Sequence, residues 1–407
     1  MNSEVDWEFA RSVAGRIAGR EPFSDSYHRQ SLESDLLELT VQAEELVQIE
    51  TGLVSGSGLA KAKVTDRMGW IDANLASFDR LLRPLLGRID VEADSSSDSE
   101  LDADPSSDPN SDDQSGGFAD TSLGKALAPV GELIAPVGSA VGDAFGQVGS
   151  VVGPKFAGAE VGALLGWMSG RVLGQYDLLI IEDERPEDQD WVYYVGPNVL
   201  SLEKRYGFPP REFRLWIAVH ECTHRAQFTG VPWLRPYFLS LVNELLDTVE
   251  PDPKRLVDAV RDSMVERRAG NGMSLKDGGL SALFATPEQR ATMDKVTGLM
   301  SLLEGHGDIT MDRAAKHLIP SQPRFARVMS QRRQNASGVS KVIQRLTGME
   351  AKMAQYQEGE DFVHAVEAAG GSELFNQVWT EPETLPTIAE IRDPALWIER
   401  IGAPANA

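Results

Sequence analysis

The chain has 407 residues, of which 42% are hydrophobic, and a formal net charge of −23. That length holds two or three domains with a sizeable core, while the acidic balance and the absence of a basic run argue against a protein that coats nucleic acid. Cys222 is the sole cysteine; an intrachain disulfide and a thiolate zinc cluster are therefore excluded, and any metal must be held by histidine and carboxylate.

The N-terminal stretch MNSEVDWEFARSVAGR is acidic and polar where a secretion signal needs a basic start and an apolar core. With one cysteine, this gives the expectation of a cytoplasmic protein. Apolar residues spaced three and four apart predict amphipathic helices over 33–53 and 64–87, and residues 1–91 read as an N-terminal helical region. Composition then changes sharply. Residues 92–117 carry nine acidic residues and no basic one, too little apolar surface to fold alone, so 92–122 reads as a disordered acidic linker or surface loop. A calcium loop opening at Asp102 and Asp104 fits poorly, because Ser107 stands where the tight turn wants glycine and two prolines interrupt.

Residues 123–407 form the third region. Gly158, Gly162, Gly166, Gly170 and Gly174 fall at every fourth position, a smooth helix face that lets another backbone approach. The uncharged run between Glu160 and Arg171 is ten residues, too short to span a bilayer. A close-packed helix is the expectation, with peripheral membrane contact as the alternative. Strand-like sequence is confined to 177–181 (DLLII) and 191–195 (WVYYV), which pair as a small hairpin. Beyond Pro210 the pattern is helical, broken by Pro232, Pro251, the glycine-rich 270–279, Pro320 and Pro382.

Residues 213–228, FRLWIAVHECTHRAQF, follow Pro210 and precede Gly230 and Pro232, which predicts a helix. Positions four apart on a helix differ by only about 40° in direction, so His220 and His224 can grip one ion. They share a stripe with Phe213, Ile217 and Phe228, an inward face on which two unpartnered imidazoles would be costly. Glu221 lies about 100° from His220, near enough to contact a water on the ion without ligating it. This is the H-E-x-x-H pattern, in which the histidines hold zinc and the glutamate is general base.

Such a site needs a third protein ligand. The extended form with a third histidine is excluded, since Gln227 occupies its glycine position and Gly230 its last histidine position. The best source is 300–312, MSLLEGHGDITMD, where Met293, Val296, Met300, Leu303 and Met311 mark an inward face that also carries Glu304 and Asp308. His306 is the rival ligand, about 200° from Glu304 on a regular helix. His28, His317 and His364 have no acidic constellation nearby and read as structural or exposed. His306, Tyr237 and Arg225 are candidate donors to a developing oxyanion, and strand 191–195 is a candidate sheet edge for an extended substrate.

The spacing Glu304-x-x-x-Asp308 resembles the gluzincin arrangement. That resemblance implies Glu304 as third zinc ligand and Asp308 as the residue that orients a ligating histidine. More broadly, HECTHRAQF, SLLEGHGDITMD, the VGPN of 195–198 and the closing FNQVWTEPETLPTIAEIRDPALWIERI resemble an uncharacterised bacterial family of zinc-dependent hydrolases with a zincin-like motif. Some of its members are labelled as associated with biosynthesis of a deazaflavin coenzyme. The likeness covers roughly 124–402. It implies a mainly α protein, a zincin-like helical metal-binding core with a small β-hairpin, that binds Zn2+ and acts on a peptide or other amide substrate. Catalysis would fall to Glu221, with His306 as a possible second group. The alternative is a non-catalytic helical interaction protein with a structural or vestigial metal site, and oligomeric state stays open.

Overall fold

The computed structural model describes residues 5–23, 26–81, 152–177, 190–247, 287–334 and 349–402. The acidic stretch 92–117, with Asp102 and Asp104, lies outside the described residues, as do positions 178–181 of the first predicted strand. The chain divides into two compact units, residues 1–19 with 71–167 and residues 20–70 with 168–407.

In the first unit, α1 (Trp7–Ala18) starts at Asp6, whose side chain accepts the Phe9 N–H. Three of the five spaced glycines lie on a second helix and serve its approach to α1. A Cβ at Gly158 would lie 2.5 Å from the Asp6 carbonyl oxygen, one at Gly166 2.6 Å from that of Ala14, and one at Gly162 would strike Ala10. The glycine row is therefore a helix–helix crossing. Among the described residues no helix is long and apolar enough to cross a membrane. The row does not continue as one helix, however: that helix runs Val152–Ser169, and Gly174 lies in a strand.

The second unit is mainly helical around a three-stranded sheet. Its early elements are α2 (His28–Thr51) and β1 (Lys61–Thr65); the helix over 67–81, α3, and Val152–Ser169, α4, belong for the most part to the first unit. Then come β2 (Gly174–Tyr176), β3 (Trp191–Val195), α5 (Gly196–Tyr206), α6 (Pro210–Gly230), α7 (Leu234–Asp247) and α8 (Pro287–Ala314). After α9 (Gln322–Gln334) and α10 (Met349–Phe375), two 3-10 turns lead to α11 (Ile388–Arg392) and α12 (Pro394–Gly402). The strand order is β1-β3-β2. β2 runs antiparallel to β3, with Gly174 opposite Tyr194; the predicted partner 177–181 lies, apart from Asp177, outside the described residues. One expectation is corrected: strand is not confined to the two predicted runs, since β2 (Gly174–Tyr176) lies upstream of 177–181 and a further strand, β1, runs parallel to β3 from Lys61↔Trp191 to Thr65↔Val195. β1 carries just Ala62 and Val64 between Lys61, Lys63 and Thr65, too short an alternation to stand out. Because β3 is bonded on both sides, it offers no free edge, and the reading of 191–195 as a substrate-binding edge is overturned.

α6 is the central element, and its register is set by two buried arginines. Arg214 donates to Glu203 through Nε and Nη2 at 2.8 and 2.9 Å and to Asp35 at 2.6 Å. Arg225 donates to Asp190 at 3.0 and 2.5 Å, to the Gly58 carbonyl oxygen at 2.7 Å and, through a short bond, to Glu44. Eleven residues bring the two side chains within about 20° around a helix, and Asp35 and Glu44 both belong to α2. Two desolvated ion pairs thus clamp α6 to α2, each costly to break from one side. Opposite, α8 crosses α10 where Gly305 meets Gly359. A Cβ on Gly305 or Gly359 would run into the other helix's backbone, so this pair sets how closely α8 sits.

Candidate metal centre

Between Phe213 and Phe228 every residue of α6 is buried except His220 and His224. Between Ser301 and Met311 every residue of α8 is buried except Glu304 and Asp308. The inward stripe expected of α6 thus widens to all its faces, and the histidines mark the gap rather than the core. Two almost wholly enclosed helices leave four polar side chains in one shared opening, the arrangement that a site reached from solvent requires.

The imidazole Nε2 atoms of His220 and His224 lie 3.2 Å apart, with the rings at 85° to each other. Glu304 Oε2 is 3.6 Å from His224 Nε2 and 3.8 Å from His220 Nε2. One donor atom from each of these three residues falls within 4.8 Å of the others. Tetrahedral zinc with bonds of about 2.0–2.2 Å spaces its donors ~3.3–3.5 Å apart, so the three stand at the required separation within a few tenths of an ångström. The donor set of two neutral imidazoles and a carboxylate suits zinc. Gly307 lies beside both rings: a Cβ there would meet Cε1 of His224 at 3.4 Å and of His220 at 3.6 Å, ordinary van der Waals contact.

Of the far ring nitrogens, His220 Nδ1 stands 3.7 Å from Asp308 Oδ1, in range of its charge but beyond hydrogen-bond reach. His224 Nδ1 is 3.0 Å from Gln227 Oε1, and Gln227 Nε2 lies 3.0 Å from the Leu303 carbonyl oxygen and 2.9 Å from His306 Nδ1. Burial disfavours a charged His224, yet the adjoining Glu304 carboxylate outweighs it and raises the imidazole to about 9. Even without an ion the opening favours positive charge.

Glu221 points to another face and is buried. A Cβ on Gly174 of β2 would lie 2.6 Å from Glu221 Cγ and Oε1, so the strand presses its glycine onto the carboxylate. Burial, with Glu304 adding its charge, lifts the Glu221 carboxyl to about 7, against the pull of His224 and the Tyr176 backbone N–H.

His306 is not among the three converging donors. It is buried beyond Gln227, stacked on Phe375 at 5.4 Å and edge-on to Trp379 at 5.3 Å, and burial, with the charge of His224, lowers its pKa to about 3. Arg225 spends its guanidinium on Asp190, Glu44 and Gly58. Tyr237 stands edge-on to Trp233 at 6.1 Å. His28, His317 and His364 are exposed. Sequence reasoning missed Gln227, Gly174 and Gly307 as parts of the site. The first had a readable signal: it falls seven residues after His220 and three after His224, on the same helical stripe.

A family described as zincin-like metallopeptidase matches residues 5–398 of the chain. The chain is also similar to a solved structure from Chloroflexus aurantiacus, described as a candidate hydrolase with a novel fold. The two share 27% identity and a TM-score of 0.62 over 98% of this chain and 100% of that one. No curated protein matches.

Proposed function

The chain belongs to the zincin-like metallopeptidase family, and from that premise we propose that it is a zinc-dependent hydrolase of peptide or other amide bonds. His220, His224 and Glu304 hold the zinc, and Glu221 is the general base. The observation that carries the reading is the convergence of those three donors within 4.8 Å with a buried carboxylate one residue after the first histidine.

Zinc at this position supplies a Lewis acid that polarises a carbonyl oxygen and lowers the pKa of water. The remaining tasks belong to the chain. A base works best when its pKa lies near the working pH, and burial has brought Glu221 to about 7. It takes the proton from the attacking water and returns it to the departing amine. The Tyr176 N–H and the close backbone of Gly174 hold the carboxylate in place. Asp308, 3.7 Å from His220 Nδ1, is the carboxylate that would orient this ring on a closer approach and leave Nε2 for the metal. Asp308 also lines a cleft of about 530 Å³ with Asp312, Lys316, Glu360 and His364, which the three metal donors and Glu221 do not line.

The test is metal analysis of wild type beside His220→Ala and Glu304→Ala, with hydrolysis of a casein and peptide panel by wild type and Glu221→Gln. Wild type should hold zinc and both alanine variants should lose it, while Glu221→Gln keeps zinc without turnover. Zinc retained in both alanine variants, or undiminished turnover by Glu221→Gln, contradicts the assignment.

A further inference from the structure

The geometry points to Gln227 as a positioning residue of the metal centre: it fixes the tautomer of His224 and ties the backbone beside Glu304 to the helix that carries the histidines. The inference rests on the zinc reading above.

The argument starts from a backbone carbonyl. The Leu303 oxygen can only accept, so the Gln227 atom 3.0 Å from it is the amide nitrogen, and the orientation of the side chain follows from an unambiguous partner. Its oxygen then faces His224 Nδ1 at 3.0 Å. An amide oxygen has no proton to give, so Nδ1 carries the hydrogen, and in the neutral ring that binds a metal Nε2 keeps its lone pair. That bare Nε2 is the atom 3.2 Å from His220 Nε2 and 3.6 Å from Glu304. The second amide hydrogen goes to His306 Nδ1 at 2.9 Å, which must therefore accept. Phe375 and Trp379 fix the His306 ring, so the acceptor is held in place.

Gln227 is fully buried, and all three bonds must be given up together for its amide to turn. The bond to Leu303 lies one residue before Glu304, so the same amide that aims one ligand also sets the distance to another. A carboxylate would aim the ring as well but could give hydrogens to neither Leu303 nor His306. A neutral amide also leaves the charge of the ion uncompensated on that side.

Protein labelled with 15N-histidine tests the inference. In the zinc-loaded wild type, His224 should show a protonated Nδ1 and a coordinated Nε2. Gln227→Met, which keeps the volume and removes the amide, should bind zinc 10–100-fold more weakly by chelator competition and lose the protected Nδ1 proton. Unchanged affinity together with an unchanged His224 spectrum would overturn the inference. Should the variant not fold, metal-free wild type titrated until His224 is neutral decides the point: an Nδ1–H ring supports the assignment and an Nε2–H ring refutes it. The same measurement stands if wild type binds no zinc, an outcome that removes the hydrolase reading but leaves the role of Gln227 to be read separately.

Discussion

Gly174→Ala separates the base from the metal. The new Cβ would lie 2.6 Å from both Cγ and Oε1 of Glu221 and 2.8 Å from Cδ. Ordinary contact begins near 3.4 Å, so the carboxylate must retreat by roughly 0.8 Å, within the reach of side-chain and strand adjustments that packing permits. The atoms struck all belong to one side chain and not to backbone, and Gly174 has no positive φ, so the fold should accept the methyl group at an overpacking cost of about 1–3 kcal/mol. Catalysis should not, because a misplacement of about 1 Å costs on the order of 100-fold in rate. The expected result is a kcat lower by about two orders of magnitude on the peptide panel, with zinc content near wild type and a modestly lower Tm. Turnover within twofold of wild type would show that the Glu221 position does not govern the reaction; loss of zinc would show that the strand supports the ligands instead.

Other substitutions test the scaffold. Gly359→Ala places a Cβ inside contact distance of the Ser301 carbonyl oxygen and of Gly305; overpacking of about 1–3 kcal/mol and weaker zinc binding should follow, since Glu304 sits within that turn, and Gln357→Ala on an exposed position of α10 serves as control. Arg225→Met strands Asp190 and Glu44 without their cation, a loss of about 3–5 kcal/mol that urea unfolding would register. In metal-free protein the His224 pKa rises from 6.5 to about 9. Its contribution to stability is therefore fully present below the lower value and disappears as pH climbs through the upper one. Zinc must displace that proton, so affinity should climb about tenfold per pH unit between 7 and 9, with proton release visible by calorimetry in buffers of different ionisation enthalpy; affinity flat across that range would exclude His224 as a ligand.

Helices were legible where an apolar repeat reports burial on one face. The predicted 33–53 lies largely within α2 (His28–Thr51), and the helix after Pro210 is α6. The positions of Glu304 and Asp308 could be inferred because acidic residues on an apolar face need a partner. Sequence could not show that α6 is enclosed on every side, since that depends on α2, α8 and the sheet arriving from positions far along the chain. β1 escaped for the same reason: five residues alternate weakly, and their strand identity comes from a parallel neighbour at Trp191–Val195. Gly174 acts through close approach and Gln227 through bond direction, which spacing does not encode.

Zinc-edge X-ray absorption on the zinc-loaded chain addresses the ligand set most directly. The account predicts two imidazoles and oxygen at about 2.0–2.2 Å and no sulfur, since the buried Cys222 thiol is directed to the Thr40 carbonyl oxygen. A shell containing sulfur, or one without paired imidazole scattering, would contradict it.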